Sequence, residues 1–345
     1  VIGCGRVVER FHHPALLGSP DWELVGAVDI RPARLGWLAS VRPGVPVADS
    51  LGALPDVGAI DAALIATPPD THCALGAEVL RRGAHLLVEK PLALHPGEAT
   101  SLLTLAAGAN RQVWIGFNRR FRPAYGALRR MLGELPAARV RGVEFDLHTD
   151  PRRWDSVARL ASDPEARGGL LDDLASHQLD LVPWLLQRSV ESVCARYLTR
   201  EPGATVVEIG LRLTGGLEAR CRAGHGTRQL ERIVVDVGDR VLVAESGGML
   251  ATSRLLAPLA GRRLAASSRV DAVRRRLAGL PKATLDTIRR QHADWAAAVR
   301  GVPAPFGAAA DGRAGARCVA LTEAARHSLA GGGAWVPVPP LGAPA

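Results

Sequence analysis

The most regular pattern of apolar and polar positions lies in residues 60–91, IDAALIATPPDTHCALGAEVLRRGAHLLVEKP. An apolar run over 60–66 closes on Thr67-Pro68-Pro69, which predicts a buried strand ended by a sharp turn. Small and apolar side chains then recur at helical spacing over 71–82, and Gly83 follows as a C-cap. A second apolar run, 85–88, delivers Glu89-Lys90-Pro91 at its end. Strand, helix and strand in this order predict two parallel strands with both exits on one rim of a sheet. Ligands of open sheets bind along that rim, so Glu89 and Lys90 fall where chemistry is done.

The stretch before this unit opens with VIGCGRVVERFHHPAL, where Gly3 and Gly5 stand between a strand end and a helix start. Such a turn lets backbone approach a pyrophosphate, whose charge a helix N-terminus favours. Val8 stands where the strict fingerprint has a third glycine, so the helix is expected to pack slightly wider on the sheet. Val1-Ile2 alone is short for a first strand, and a few preceding residues are expected. The apolar run 22–28 predicts a strand ending at Asp29, 24 residues after Gly5, where a carboxylate suits the ribose diol of NAD. Arg31 and Arg34 just beyond can instead meet a 2′-phosphate, which keeps NADP open.

After residue 91, a helix over 96–107 and a strand over 112–116 complete a first domain of residues 1–120 and lead into GFNRRFRPAY. A helix over 123–133 and strands at 139–148, 192–198, 205–213, 217–223, 231–236 and 240–244 predict an antiparallel sheet in a second domain, 121–345. Within it, LLDDLASHQLDLVPWLLQ reads as a helix with Asp173 and His177 on one face. That pair offers a proton carrier near neutral pH and an acid to orient it, while Asp172 and Asp180 are expected to be solvated or locally hydrogen-bonded. Lys90 can release a proton if desolvated, and Pro91 biases it toward extended backbone. Taken singly, a solvated edge lysine and a structural helix histidine are the plainer alternatives.

Composition adds bounds. With 345 residues and 47% hydrophobic content the chain can fill two cores. No apolar run approaches the roughly 18 residues a bilayer-crossing helix needs, and no secretory leader is read. Five scattered cysteines without metal-ligand spacing point to a reducing, cytoplasmic compartment and to no metal site. The net charge of +9 is local: residues 254–290 hold ten Arg or Lys against two Asp, 10 − 2 = +8. Few aromatics accompany them, so solvated helix faces are favoured over nucleic-acid binding.

The sequence resembles the glucose-fructose oxidoreductase / inositol dehydrogenase / MocA family. The resemblance rests on GCGRVVERFHHPAL, VGAVDI, the IATPP…H…G…LLVEKP block, GFNRRF, GGLLDDLASHQLD and DWAAAVRGVPAPF…ARHSLAGGGAWVPV. It implies an α/β fold, an N-terminal Rossmann domain followed by an α/β domain with a predominantly antiparallel sheet, and a homo-oligomer, dimer or tetramer. The implied cofactor is NAD or NADP, with NAD favoured by Asp29. Its binding positions are Gly3, Gly5, Arg6, Val7, Asp29, Ile30, Arg31, Thr67, Pro68, His72, Glu89 and Lys90. Lys90, Asp173 and His177 carry catalysis, and Asn118, Arg120, His148, Arg153 and Trp154 join them around the substrate. Ala175 departs from the family's D-x-G-x-H form, and a longer basic stretch, about 250–290, is expected to form a helical lid or subunit contact. The implied reaction interconverts hydroxyl and carbonyl groups on a sugar, nucleotide-linked sugar or cyclitol. Imine reduction, or a nucleotide-binding sensor or assembly role without turnover, are the alternatives.

Overall fold

Short, nearly uninterrupted apolar runs build a parallel sheet buried on both faces, the setting in which alternation is lost. Its strands are Ala27–Val28 (β1), Val47–Ala48 (β2), Ala62–Ile65 (β3), His85–Val88 (β4) and Val113–Ile115 (β5). β1 pairs with β2, and β3, β4 and β5 pair in succession, all parallel, while Ile2 bridges Val28 on one side and Ile65 on the other. With Ile2 as the first strand the spatial order is third, second, first, fourth, fifth, sixth. This is the doubly wound order, whose switch point lies between the first and fourth strands. The computed structural model describes residues 1–55, 60–149, 167–201, 204–225, 230–245, 249–254 and 280–341. The sheet belongs to a unit formed by Val1–Phe121 and Pro281–Ala316.

Helices follow the strands. A π-helical turn, Val8–His12, runs into His13–Leu16 (α1), and Pro32–Val41 (α2), His72–Arg81 (α3) and Pro96–Gly108 (α4) come next. Proline at the first position of α2 and α4 gives up an N–H that has no helical partner there. α3 stops at Gly83, φ +81°, as its cap position requires. Register sets Leu64, Leu87 and Trp114 side by side on one sheet face, and Trp295 of the helix Leu280–Val299 packs over them.

That packing corrects the sequence reading twice. Residues after 120 were assigned wholly to a second domain, yet Pro281–Ala316 returns to the first unit because Trp295 covers its sheet. The expected strand at 22–28 shrinks to Ala27–Val28. Trp22 instead stacks on Trp295, ring centroids 4.4 Å apart, and its Nε1–H donates to the His292 carbonyl at 3.0 Å.

The second unit, Arg122–Leu280 and Arg317–Leu341, is built on a larger sheet. Its strands are Gly142–Thr149 (β6), Val190–Glu201 (β7), Ala204–Leu213 (β8), Leu217–His225 (β9), Leu230–Asp236 (β10), Arg240–Glu245 (β11) and Met249–Arg254 (β12). The order is β12-β11-β10-β6-β9-β8-β7, with Val336–Pro337 added beside β7. Every pairing is antiparallel except β6 with β9. The period of two is visible in adjacent rows. Ala195, Ile209, Cys221, Phe145, Ile233 and Ala244 form a buried apolar row, while Arg196, Glu208, Arg222, Asp146, Arg232 and Glu245 form the next, alternating in sign on the opposite face. Within that row Arg196 meets Glu208 at 2.6 Å, and Arg222 meets Glu208 at 3.1 Å and Asp146 at 3.2 Å.

Two helices, Pro123–Gly133 (α5) and Ser176–Leu186 (α6), pack against each other, and α5 also packs on β11. The expected insertion at about 250–290 begins as a strand, β12, and ends in the helix Leu280–Val299, while residues 255–279 lie outside the described residues. No helix among the described residues is long and apolar enough to cross a membrane.

Candidate functional site

In the first unit the strand exits converge at the switch point. Gly3 has φ +87°, and a Cβ there would stand 2.6 Å from the Ala66 carbonyl oxygen and 2.8 Å from the Thr67 side chain. Only glycine permits both the conformation and the approach. Gly3→Ala is therefore expected to destabilise the unit by at least about 1–2 kcal/mol from backbone conformation alone, read as a lower thermal unfolding midpoint; an unchanged midpoint would contradict the geometry.

Asp29, at the exit of β1, is nearly buried. Its Oδ2 accepts the Cys4 N–H at 2.7 Å, and its Oδ1 accepts the Arg31 backbone N–H at 2.9 Å. The Arg31 guanidinium bonds both oxygens, at 3.1 and 3.2 Å. Burial, the largest influence, pushes the carboxyl up, but the bonds from Arg31 and Cys4 outweigh it and hold the group below the usual range. Arg34 is paired with Glu9 at 2.7 Å. Ile30, the next residue along, is 84% exposed and presents an apolar face beside this carboxylate. Val8, in place of the third glycine, is buried and begins the π turn Val8–His12.

That turn also carries His12, which sequence reasoning passed over. Its Nε2 lies 2.8 Å from Glu89 Oε1 and its Nδ1 lies 2.9 Å from His292 Nε2. Burial raises the Glu89 carboxyl most, yet His12 and the positive charge of Lys90 bring it below the usual range. Burial holds His292 well below an ordinary imidazole. An ionised Glu89 only accepts, so His12 donates from Nε2 and accepts at Nδ1 from the neutral His292. The second Glu89 oxygen accepts the Lys90 N–H at 3.2 Å and would stand 2.8 Å from a Cβ on Gly116. Lys90 thus has its backbone tied to a fixed carboxylate.

His72 at the start of α3 is wholly buried, with Nδ1 2.7 Å from the Pro91 carbonyl oxygen and Nε2 3.0 Å from that of Thr67. Pro68 opens the short turn Pro69–Thr71 between them. Asn118 Nδ2 donates to Thr287 Oγ1 at 3.3 Å, and Arg120 is buried. Arg6 and Val7 lie on the first helical turn, where Val7 is exposed.

In the second unit Asp173 sits in a π-helical turn, Leu171–Ala175, and His177 in the first turn of α6. Asp173 is half-buried and His177 is 8% exposed. Asp172 was expected in solvent or a local bond; it is buried, accepting the Gly168 N–H at 2.8 Å and pairing with Arg326 at 2.7 Å. Asp180 is buried too. Arg326 also meets Glu323 at 2.9 Å, and Glu323 takes both guanidinium nitrogens of Arg167 at 2.9 and 3.0 Å. The network anchors the π turn to the helix Gly312–Ala330.

His148 on β6 is half-buried, and a Cβ on Gly224 of the paired β9 would come within 2.8 Å of its Nδ1. His225 follows Gly224 and was not anticipated. It is buried, neither ring nitrogen has a partner among the described residues, and burial lowers its pKa while the charge of Asp173 opposes this. An imidazole ending an alternating strand run was its only sequence signal. Arg153 and Trp154 lie outside the described residues.

Comparison with known proteins agrees with both units. Residues 1–117 match the model of the oxidoreductase family with an NAD-binding Rossmann fold, and residues 125–243 match the GFO/IDH/MocA C-terminal domain. The chain is 35% identical over 201 residues to a myo-inositol dehydrogenase of Streptomyces leeuwenhoekii, covering 56% of this chain and 57% of that protein. It is 30% identical over 196 residues to an inositol 2-dehydrogenase of Rhizobium meliloti, covering 56% of each. The match thus spans little more than half the length of these relatives. The WlbA dehydrogenase of Bordetella pertussis, solved with NADH and UDP-GlcNAcA, superposes over 98% of this chain and 96% of its own with a TM-score of 0.78 at 22% identity, a likeness of fold. The chain belongs to the Gfo/Idh/MocA family of oxidoreductases.

Proposed function

We propose that the chain is a nicotinamide-dependent oxidoreductase interconverting hydroxyl and carbonyl groups on a sugar, nucleotide-linked sugar or cyclitol. In this proposal the first unit binds the dinucleotide and the second the substrate. The observation that carries it is the switch-point turn, where Gly3 leaves no room for a side chain beside Ala66 and Thr67 while Asp29 ends the adjacent strand. These residues fit a dinucleotide: Gly3 and Gly5 admit the diphosphate, Asp29 receives the ribose hydroxyls, and the exposed Ile30 offers an apolar surface to adenine. The inositol dehydrogenases among the relatives and the WlbA complex support the substrate class.

NAD is preferred over NADP. Arg31 is held on Asp29 and Arg34 on Glu9, so a 2′-phosphate meets a carboxylate whose neighbouring cations are engaged. NADH is expected to bind at least about tenfold more tightly than NADPH, and Asp29→Ala to weaken NADH by about tenfold while sparing NADPH. Fluorescence titration with each nucleotide reads both; equal affinities in the native chain would overturn the preference.

The bound nicotinamide supplies the hydride acceptor or donor. His177 takes the hydroxyl proton in the oxidising direction and returns it in the reducing one. Lys90 stabilises the oxygen on which negative charge develops. Asp173 orients His177 or a substrate hydroxyl, and His225 and His148 offer further hydrogen bonds. Nucleotide-linked sugars, free sugars and cyclitols, supplied in turn with NAD⁺ and followed by nicotinamide absorbance, test the assignment. Failure of the folded protein to bind either nucleotide would sink it. The free state of all five cysteines supports a reducing, cytoplasmic setting, and the family supports a dimer or tetramer.

A further inference from the structure

We propose that His72 is a positioning residue that ties the Thr67 turn to the Lys90-Pro91 turn through one backbone carbonyl on each ring nitrogen, with the second ring proton deciding whether both are held. It rests on the cofactor and catalytic roles given above to Thr67 and Lys90.

The geometry poses a chemical problem that has one solution. Both atoms facing the ring are carbonyl oxygens, 2.7 and 3.0 Å away, and carbonyl oxygens only accept. A neutral imidazole carries a single N–H and can satisfy one of them. With the proton on Nδ1, at the shorter contact, the Nε2 lone pair faces the Thr67 oxygen and repels it. An imidazolium donates to both. The ring therefore holds the lysine turn in either state and holds the Thr67 turn only when a second proton arrives from solvent.

A leucine would fill a wholly buried site at a helix start as well, so packing alone does not call for a ring with two polar ends. The ring's location gives those ends a use. Thr67 follows β3 beside Gly3, at the switch point, and Pro91 immediately follows Lys90 at the exit of β4. The charged groups around the ring are Asp70 in the turn before α3, and Glu89 with Lys90 at the exit of β4; the neighbouring Cys73 thiol, raised to about 11 by burial, stays neutral. Burial is the largest influence on His72 and disfavours the cation; the two carbonyls, Glu89 and Asp70 favour it, and the balance lies below the ordinary imidazole value. The two turns are thus coupled on the acid side of neutrality, and the Thr67 contact is released as pH rises.

Two substitutions separate the contacts. The asparagine amide nitrogen overlays Nδ1, so His72→Asn keeps the bond to Pro91 and loses Thr67. The glutamine amide nitrogen reaches the position of Nε2, so His72→Gln does the reverse. In the full chain below neutral pH, hydrogen–deuterium exchange is expected to quicken only at Thr67, Asp70 and Thr71 in H72N, with NADH affinity falling about tenfold. In H72Q it quickens only at Lys90 and Leu92, and NADH affinity falls less than in H72N. Nitrogen-15 NMR of the native ring adds a readout that needs no variant: Nδ1 keeps its proton throughout, Nε2 gains one in the folded protein as pH falls, and the Thr71 amide shifts in step. Identical exchange in the two variants, or a ring holding one proton throughout with static amides, would overturn the proposal. Absence of NADH binding by the native chain would instead remove the oxidoreductase reading, with the exchange and NMR results still deciding the role of His72.

Discussion

Lys90→Ala is expected to lower turnover about 10²–10³-fold while leaving NADH affinity within about twofold. The backbone of Lys90 is fixed independently of its side chain. Its N–H donates to Glu89 at 3.2 Å, Glu89 N–H donates to the Ile65 carbonyl at 2.9 Å, and His72 lies 2.7 Å from the Pro91 carbonyl oxygen. Truncation thus removes the ammonium and its side-chain interactions while the backbone of the turn keeps its bonds. His177→Ala removes the proton carrier and is expected to cost about 10²–10⁴-fold. If both groups act on one reacting oxygen, the double variant falls well short of the product of the two losses. Steady-state rates on the substrate found by the panel, with NADH titrations of each variant, provide the check. Near-native turnover by Lys90→Ala would remove lysine from the chemistry; lost NADH binding would recast it as a structural residue of the turn.

How far this arrangement was legible in the sequence depended on whether its partners were local. β4 at His85–Val88 and α5 at Pro123–Gly133 were read with the bounds they have, because glycine and proline punctuate them. The run 22–28 has the composition of a strand, but Trp22 is apolar because it packs on Trp295, and periodicity does not distinguish the two uses. His12 and His292 are 280 positions apart, and Asp172 and Arg326 are 154 apart, so no spacing rule could join them. Adjacent aspartates illustrate the limit: the helix pattern suggested chemistry for Asp173 and solvent or a local hydrogen bond for Asp172, and it held no sign that Asp172, besides accepting the local Gly168 N–H, pairs with the distant Arg326. The arginine-rich composition was likewise opaque. Its alternating row with Glu208, Asp146 and Glu245 exists only once strand register is known.

Arg326→Leu is expected to destabilise the protein by about 3–5 kcal/mol, because it leaves Asp172 as a buried carboxylate without its cation. Adding Asp172→Asn should recover much of that loss, since the penalty belongs to the uncompensated charge rather than to the absent pair. Urea unfolding of the two single variants and the double gives the cycle; additive losses would show that the residues act separately. The same network predicts the acid limb. Burial is the largest influence on Glu323 and raises its carboxyl, but Arg167 and Arg326 lower it below the ordinary range. A carboxyl lowered in the folded state stabilises above its unfolded pKa, and that contribution is lost as pH falls through the folded value. Arg326→Leu should therefore flatten the acid-side fall in stability as well as lower the plateau. Because Asp172 immediately precedes Asp173, the variant also tests what the network is for. Weaker turnover at a temperature where the variant remains folded, with NADH affinity intact, would show that the pair sets the π turn that carries Asp173 and leads into the helix of His177.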